Sequence, residues 1–358
     1  MVEVSLNPTA LTDQQARRAR ALFERFGDRW GAAFCNLLLA WTKLQRAGPG
    51  EEGLRLVTEA YATFAELGDP WGEAYAGRAL FAFESYYRGL SADAEAAGQR
   101  ALAQFEALDD QWGLAQTHFS LGEIAKARGD LTGAAASFEA ALAAARDAGP
   151  LWTQLASLAS LGSLLALRGD DARAAAVNAE AVALFRRTGQ PRGFGHLYNE
   201  LGAVARVRGD LEHARRLHTE ALAILREIVG WSVPHTLTQL ACAEARLGDL
   251  DAAEAHLREA AGLLRTSPQP ATAASILVGA SLVALGRDRP EEAARLLAAA
   301  EAVHARIGIT PIGAERHEAG LVAEAVRARL DPDALAAAEA AGQALAAEDP
   351  LRGLVASA

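Results

Sequence analysis

The chain has 358 residues, 35 Lys+Arg against 45 Asp+Glu, a net charge of −10 and a pI near 5.4. An acidic chain with no Lys/Arg cluster is not built to track a phosphate backbone, which excludes direct nucleic-acid binding as an expectation. Cys35 and Cys242, about two hundred residues apart and both inside helical repeat positions, do not support a disulfide framework. There is no basic segment followed by an apolar core at the start and no apolar run of bilayer length, so a reducing cytoplasm without membrane contact is expected.

In chain order, the segment from Asp13 to Phe26 places Ala16, Ala19, Leu22 and Phe23 at helical spacing and ends at Gly27-Asp28-Arg29-Trp30. It matches the end of a second helix, as in Ala101 to Trp112, with no first helix before it. The array is therefore expected to begin on half a unit, either as a natural cap over 1–27 or because the polypeptide is a piece of a larger protein. Helix pairs follow at 28–66, 70–108, 112–148, 152–189, 192–229 and 231–266. The break Thr266-Ser267-Pro268-Gln269-Pro270 then separates 28–266 from 267–358. A seventh pair is expected at 271–307 and a divergent eighth at 312–347, with atypical ends because a terminal repeat meets solvent.

One sentence recurs along this array. Leu121-Gly122, Arg128-Gly129-Asp130, Ala134, Phe138 and Ala141 return as Leu161-Gly162, Arg168-Gly169-Asp170, Ala174, Asn178 and Ala181. They return again as Leu201-Gly202, Arg208-Gly209-Asp210, Ala214, His218 and Ala221, and as Leu240-Ala241, Leu247-Gly248-Asp249, Ala253, Leu257 and Ala260. A period of roughly forty residues signifies stacked units that share one continuous core. The fold expected is all-α: a right-handed superhelix of about eight antiparallel helix pairs.

Within the unit 112–150, apolar and small residues at Ala115, Phe119, Gly122, Ile124 and Ala125 give the first helix one buried face. Gly129 can adopt the left-handed conformation that ends it, and Asp130 can cap the next helix. That chemistry also accounts for the three Arg-Gly-Asp tripeptides without an adhesive role. Gly122, Gly162 and Gly202 sit mid-helix, where glycine costs roughly 1 kcal/mol against alanine. Their recurrence implies close approach of the partner helix, expected opposite Ala134, Ala174 and Ala214. Trp30, Trp71, Trp112 and Trp152 recur at spacings of 41, 41 and 40 residues, and Trp231 returns after Arg192 takes the place. The row reads as a packing column between units, with a ligand-stacking platform as the alternative.

Catalytic signals are weak. Asp109-Asp110, Asp170-Asp171 and Glu291-Glu292 fall at turns or first helical turns, where negative charge suits the helix dipole. No nucleophile has a base at motif spacing and no Gly-x-x-x-x-Gly-Lys-Ser/Thr loop occurs, so no enzyme and no cofactor is expected. His196 and His235 occupy equivalent places in adjacent units, but two imidazoles fall short of a four-ligand zinc site, and no metal is expected.

On Leu121, Gly122, Ala134, Phe138 and Ala141 the chain resembles the tetratricopeptide repeat family, in a variety longer than the plain 34-residue repeat. That variety looks like the C-terminal arrays of maltose-activator-like (MalT-like) and antibiotic-regulatory (AfsR-like) bacterial transcriptional regulators. The tail from Arg295 to Ala302 and from Leu335 to Leu345 is similar to how actinobacterial members end. The resemblance implies a non-catalytic sensory or interaction region of a signal-transduction ATPase regulator, cytoplasmic and bacterial. A stand-alone scaffold is the alternative. It also implies that the first helix of each pair lines a concave groove for a peptide, a partner protein or a small-molecule inducer. The groove positions carried over are Phe34, Leu37 and Trp41; Tyr75, Arg78 and Tyr86; Gln116, Phe119, Glu123 and Lys126; His196, Asn199 and Arg206; and His235 and Thr238. Between them Ala156, Ala159 and Ser163 are small and are expected to leave room in the middle.

Overall fold

A computed structural model describes residues 13–47, 50–88, 92–148, 150–189, 191–228 and 230–355, and no strand occurs among them. A second-type helix α1 (Asp13–Arg25) comes first. The pairs are then α2 (Arg29–Ala47) with α3 (Glu51–Leu67), α4 (Pro70–Arg88) with α5 (Ala92–Ala107), α6 (Gln111–Ala127) with α7 (Leu131–Ala148), and α8 (Leu151–Leu167) with α9 (Asp171–Thr188). They continue as α10 (Pro191–Arg208) with α11 (Leu211–Ile228), a 3-10 turn at Gly230–Ser232, α12 (Val233–Leu247) with α13 (Leu250–Leu264), and α14 (Pro270–Gly286) with α15 (Pro290–Ile307). The last pair is α16 (Gly313–Arg329) with α17 (Pro332–Glu348), followed by the short α18 (Arg352–Val355). The architecture is the all-α solenoid that the repeat predicts.

The turns work by the chemistry read from the sequence. Gly129, Gly169, Gly209 and Gly248 have φ of 80°, 81°, 79° and 88°, the left-handed region that side chains avoid. Asp130 then receives the Gly133 N–H at 2.9 Å, and Asp110 receives Gly113 N–H at 3.0 Å. Arg128 of the first Arg-Gly-Asp is paired with Glu95 at 2.5 Å, and Arg208 of the third with Asp171. The tripeptide is a helix junction.

The mid-helix glycines differ from expectation in what they face. A Cβ on Gly122 would lie 2.7 Å from the Phe138 ring, on Gly162 2.2 Å from Asn178, and on Gly202 2.5 Å from His218. Each glycine is the socket for the variable larger residue of its partner helix, with the nearby alanines only lining the crossing. In the second pair the roles exchange: Phe81 is on the first helix and Gly98 on the second, where a Cβ would lie 3.0 Å from the Phe81 ring. Knob and socket must be complementary, whichever helix carries the knob.

The tryptophan row is chiefly a packing column. Trp30 stacks on Phe34 at 5.3 Å and on Trp71 at 6.5 Å, Trp71 on Tyr75 at 5.2 Å, and Tyr75 on Trp112 at 5.3 Å. The Trp71 indole N–H donates to Asp110 at 2.8 Å, and that of Trp30 donates to Asp69 in the same way. Each of these two rings thus ties its own unit to the aspartate that precedes the first helix of the next. Three large buried clusters run along the array: Ala16 to Phe105, Ala134 to Leu197, and Leu222 to Leu351.

First helices form the inner wall: α8 packs on α10, α12 on α14 and α14 on α16. The superhelix winds tightly enough to touch itself. The turn Gly230–Ser232 packs on α2, and the Thr310 N–H donates to the Ala127 carbonyl at 2.7 Å. Ile312 packs against the central cluster. Across the interior α16 meets α10, where Arg206 donates two hydrogen bonds to Glu318 at 2.9 Å each. Among the described residues no helix is long and apolar enough to cross a membrane. Cys35 and Cys242 are buried free thiols.

Candidate functional site: the inner wall

The wall divides into an aromatic section, a charged section and a closed section. The aromatic section is carried by α2, α4 and α6. Phe34 and Trp41 are half-buried, Tyr75 is 4% exposed, and Arg78 is 3% exposed. The Arg78 guanidinium carbon lies 4.9 Å from the Trp41 ring centre, 5.2 Å from Tyr75 and 5.6 Å from Trp112. Burial pushes the Tyr75 hydroxyl above its ordinary value and Arg78 below its own, each partly offset by the other. The side chain of Tyr86 lies outside the described residues.

The charged section spans α6, α8 and α10. Lys126 Nζ sits 3.0 Å from Glu123 and 3.2 Å from Glu200. Ser160 donates to Glu123 at 2.9 Å and stands 3.3 Å from His196 Nε2. Phe119 packs on Phe138 and on the edge of Trp152, whose ring in turn meets His196 at 5.8 Å. Gln116 is half-buried on the same face of α6. Burial opposes the Lys126 charge, but Glu123 and Glu200 outweigh it and hold the ammonium above its ordinary value. Burial likewise opposes the Glu200 charge, yet Lys126 and His196, with a hydrogen bond from Ser163, bring it down to about 2. His235, exposed and 3.1 Å from Gln239, is the next group along.

The remaining positions are engaged in packing. Asn199 donates to Thr236 at 2.8 Å and contacts His218 Nδ1 at 3.2 Å. Arg206 is 2% exposed and bound to Glu318. Leu37 and Thr238 are buried. Ala156 and Ala159 are fully buried and Ser163 is 6% exposed, so the small residues leave no open space. They let α10 close on α8 instead, because a void without partner atoms forfeits dispersion contacts. The sequence reading missed Ser160, Glu200 and Glu318. Ser160 and Glu200 stand at one repeat position, 40 residues apart, a register signal that a search by chemistry alone passes over. Glu318 meets Arg206 only because the superhelix curls, which no local pattern encodes.

Ser160, His196 and Glu200 invite comparison with a catalytic triad, and the geometry departs from one. Ser160 and Glu200 approach the same imidazole nitrogen, at 3.3 and 4.0 Å, whereas a triad holds its acid on the opposite nitrogen. The Ser160 hydroxyl is also spent on Glu123. No group of three or more His, Cys, Asp or Glu among the described residues could hold a metal ion.

Glu200 gives a pH prediction. An acid whose folded value lies below its unfolded one adds stability above the unfolded value and loses it as pH falls through the folded value. Its contribution is therefore present above about pH 4.5 and fades toward pH 2. Glu200→Gln is expected to flatten the stability profile between those limits, in denaturant unfolding at stepped pH. An unchanged slope removes Glu200 from the acid limb.

Among solved structures the chain is similar to yeast Tom70, with 15% identity, 91% of this chain and 62% of that chain covered, and a TM-score of 0.49. It thus spans less than two thirds of that chain. A tetratricopeptide repeat protein from Parabacteroides merdae has 11% identity over 88% of this chain and 98% of that one, with a TM-score of 0.44. The apo form of RapI has 12% identity over 88% and 97%, also with a TM-score of 0.44. No curated protein sequence matches. Residues 194–266, which run from within α10 through α13, match the tetratricopeptide repeat family. That stretch of the chain consists of tetratricopeptide repeats, and the helix pairs on either side extend the same all-α superhelix.

Proposed function

We propose that this chain is a non-catalytic recognition module whose inner wall takes a peptide, a partner protein or a small-molecule inducer. The carrying observation is the charged section: Glu123, Lys126, His196 and Glu200 from α6 and α10, bridged by Ser160 of α8. Packing alone does not require it, since partly buried charges cost desolvation that an apolar wall avoids. Convergent polar groups beside aromatic rings on a concave face suit a ligand. The resemblance to MalT-like and AfsR-like regulators supports a sensory role within a transcriptional regulator, working in the cytoplasm of a bacterium. In that setting nucleic-acid binding belongs to another module.

The test is thermal unfolding of the full chain against sugars, nucleotides, acyl metabolites and short peptides, since a binder of the folded state raises the midpoint by mass action. A shift from a small molecule, lost in Lys126→Met, supports the sensor. A shift from peptides alone, lost in the same variant, supports the protein-interaction form. No shift from any probe, or shifts that persist unchanged in both Lys126→Met and Tyr75→Ala/Arg78→Ala, removes the inner wall as the site.

A further inference from the structure

Arg78 presents a physical anomaly. An arginine is charged at every physiological pH, and a buried charge is ordinarily paired. Among the described residues no carboxylate lies close enough to neutralise it; its one polar neighbour of consequence is Tyr75. The contrast within the molecule is plain, because buried Arg206 has Glu318 on it at 2.9 Å and inner-wall Lys126 has two glutamates. Arg78 has three aromatic rings instead, at 4.9 to 5.6 Å from its guanidinium carbon.

Ring contacts of this kind offset some of the desolvation, and apart from the Tyr75 hydroxyl, which shares a hydrogen bond with Arg78, they supply no acceptor. The Nε–H of Arg78 is buried with no acceptor. So is the indole N–H of Trp41, one of the three rings around it. Two donors without acceptors and one uncompensated positive charge therefore occur in a single cage. Aromatic rings cannot supply what is missing, whereas an oxyanion supplies both the charge and the acceptors. Trp41 and Trp112 are half-buried, so the cage has a rim that reaches solvent. The cage belongs to α2, α4 and α6, three consecutive first helices of the inner wall.

We propose that the Arg78 cage is an oxyanion site, in which a carboxylate or phosphate oxygen accepts from Arg78 Nε–H and Trp41 Nε1–H while the rings flank the ligand's adjoining atoms. This deepens the recognition reading above and rests on it: the cage holds the anionic end of whatever the inner wall binds. Carboxylate and phosphate share the chemistry of the site, and a charge-assisted bond from guanidinium serves either.

The experiment follows the Arg78 Nε–H and Trp41 indole N–H resonances of the full chain by two-dimensional nitrogen–proton NMR. Sodium formate and inorganic phosphate are titrated separately, against sodium chloride at matched ionic strength. Both resonances are expected to move together and to saturate with formate or with phosphate, and the arm that saturates at lower concentration identifies the oxyanion class. In Arg78→Met the Trp41 response is expected to disappear. Because that variant removes a buried unpaired charge, its melting temperature without anion should equal or exceed that of wild type, while the anion-dependent rise is lost. Trp41→Phe keeps the ring, removes its donor, and should weaken formate or phosphate binding severalfold. Resonances that stay still, follow chloride equally, or leave Trp41 responding in Arg78→Met overturn the proposal. That failure is separable from failure of the recognition reading, because the recognition reading stands on ligand shifts lost in Lys126→Met, which are read whether or not formate or phosphate reaches Arg78.

Discussion

Glu318→Ala is expected to cost about 3–5 kcal/mol, the usual loss when one partner of a buried ion pair is removed. Glu318 and Arg206 have side chains only 1% and 2% exposed, and Arg246 lies 3.5 Å from the same carboxylate. Removing the acid strands a guanidinium that has no water to turn to. The cost is that of the orphaned charge, which makes a second variant informative. Arg206→Met with Glu318→Leu should recover most or all of the loss, since a well-packed apolar pair is often as stable as the ion pair it replaces. Urea unfolding of the three proteins checks this. A single variant within about 0.5 kcal/mol of wild type, or a double variant as weak as the single, would show that the α10–α16 crossing does not depend on this pair.

Gly342→Ala should be nearly as damaging, at about 3 kcal/mol, the upper end of overpacking costs. A methyl group there would lie 2.2 Å from the backbone carbonyl of Arg295, 2.8 Å from Ala298 Cβ and 3.0 Å from the Ala299 nitrogen. Two of those atoms are main chain of α15, so no rotamer change relieves the clash and α17 has to move as a body. Gly262→Ala is the matched control. It is also helical, it is exposed, and a methyl there meets nothing within 4 Å, so alanine should add about 0.5–1 kcal/mol. Unfolding midpoints that moved equally for the two would show that α15 and α17 are not in close register.

The fold was legible because its determinants are local and repeated. Gly129 and Asp130 specify a junction by themselves, and the same pair at Gly169-Asp170 and Gly209-Asp210 fixes the period. Helix pairing follows from such junctions with little else needed. The site was partly legible. Glu123, Lys126 and His196 could be placed on the wall through the family resemblance, yet that Lys126 bridges to Glu200 depends on how far each unit rotates on the last. That rotation is set by side-chain volumes at the crossings. Ala156 and Ala159 show why volume misleads in isolation: a small residue can mean a cavity or a close approach, and only the position of α10 decides. Arg206 illustrates the same limit at longer range, since its partner is 112 residues away.

A stack whose units touch only their neighbours can unfold piecemeal and begin folding anywhere. The Thr310–Ala127 hydrogen bond and the packing of Gly230–Ser232 on α2 tie together segments on successive windings. They give the molecule contacts of high sequence separation that a straight array lacks. Such contacts form only after a long loop has closed, so they slow the final step of folding and then join distant pairs into one cooperative unit. Hydrogen exchange at the α10–α16 crossing should therefore report on the integrity of the first pair as well as the last.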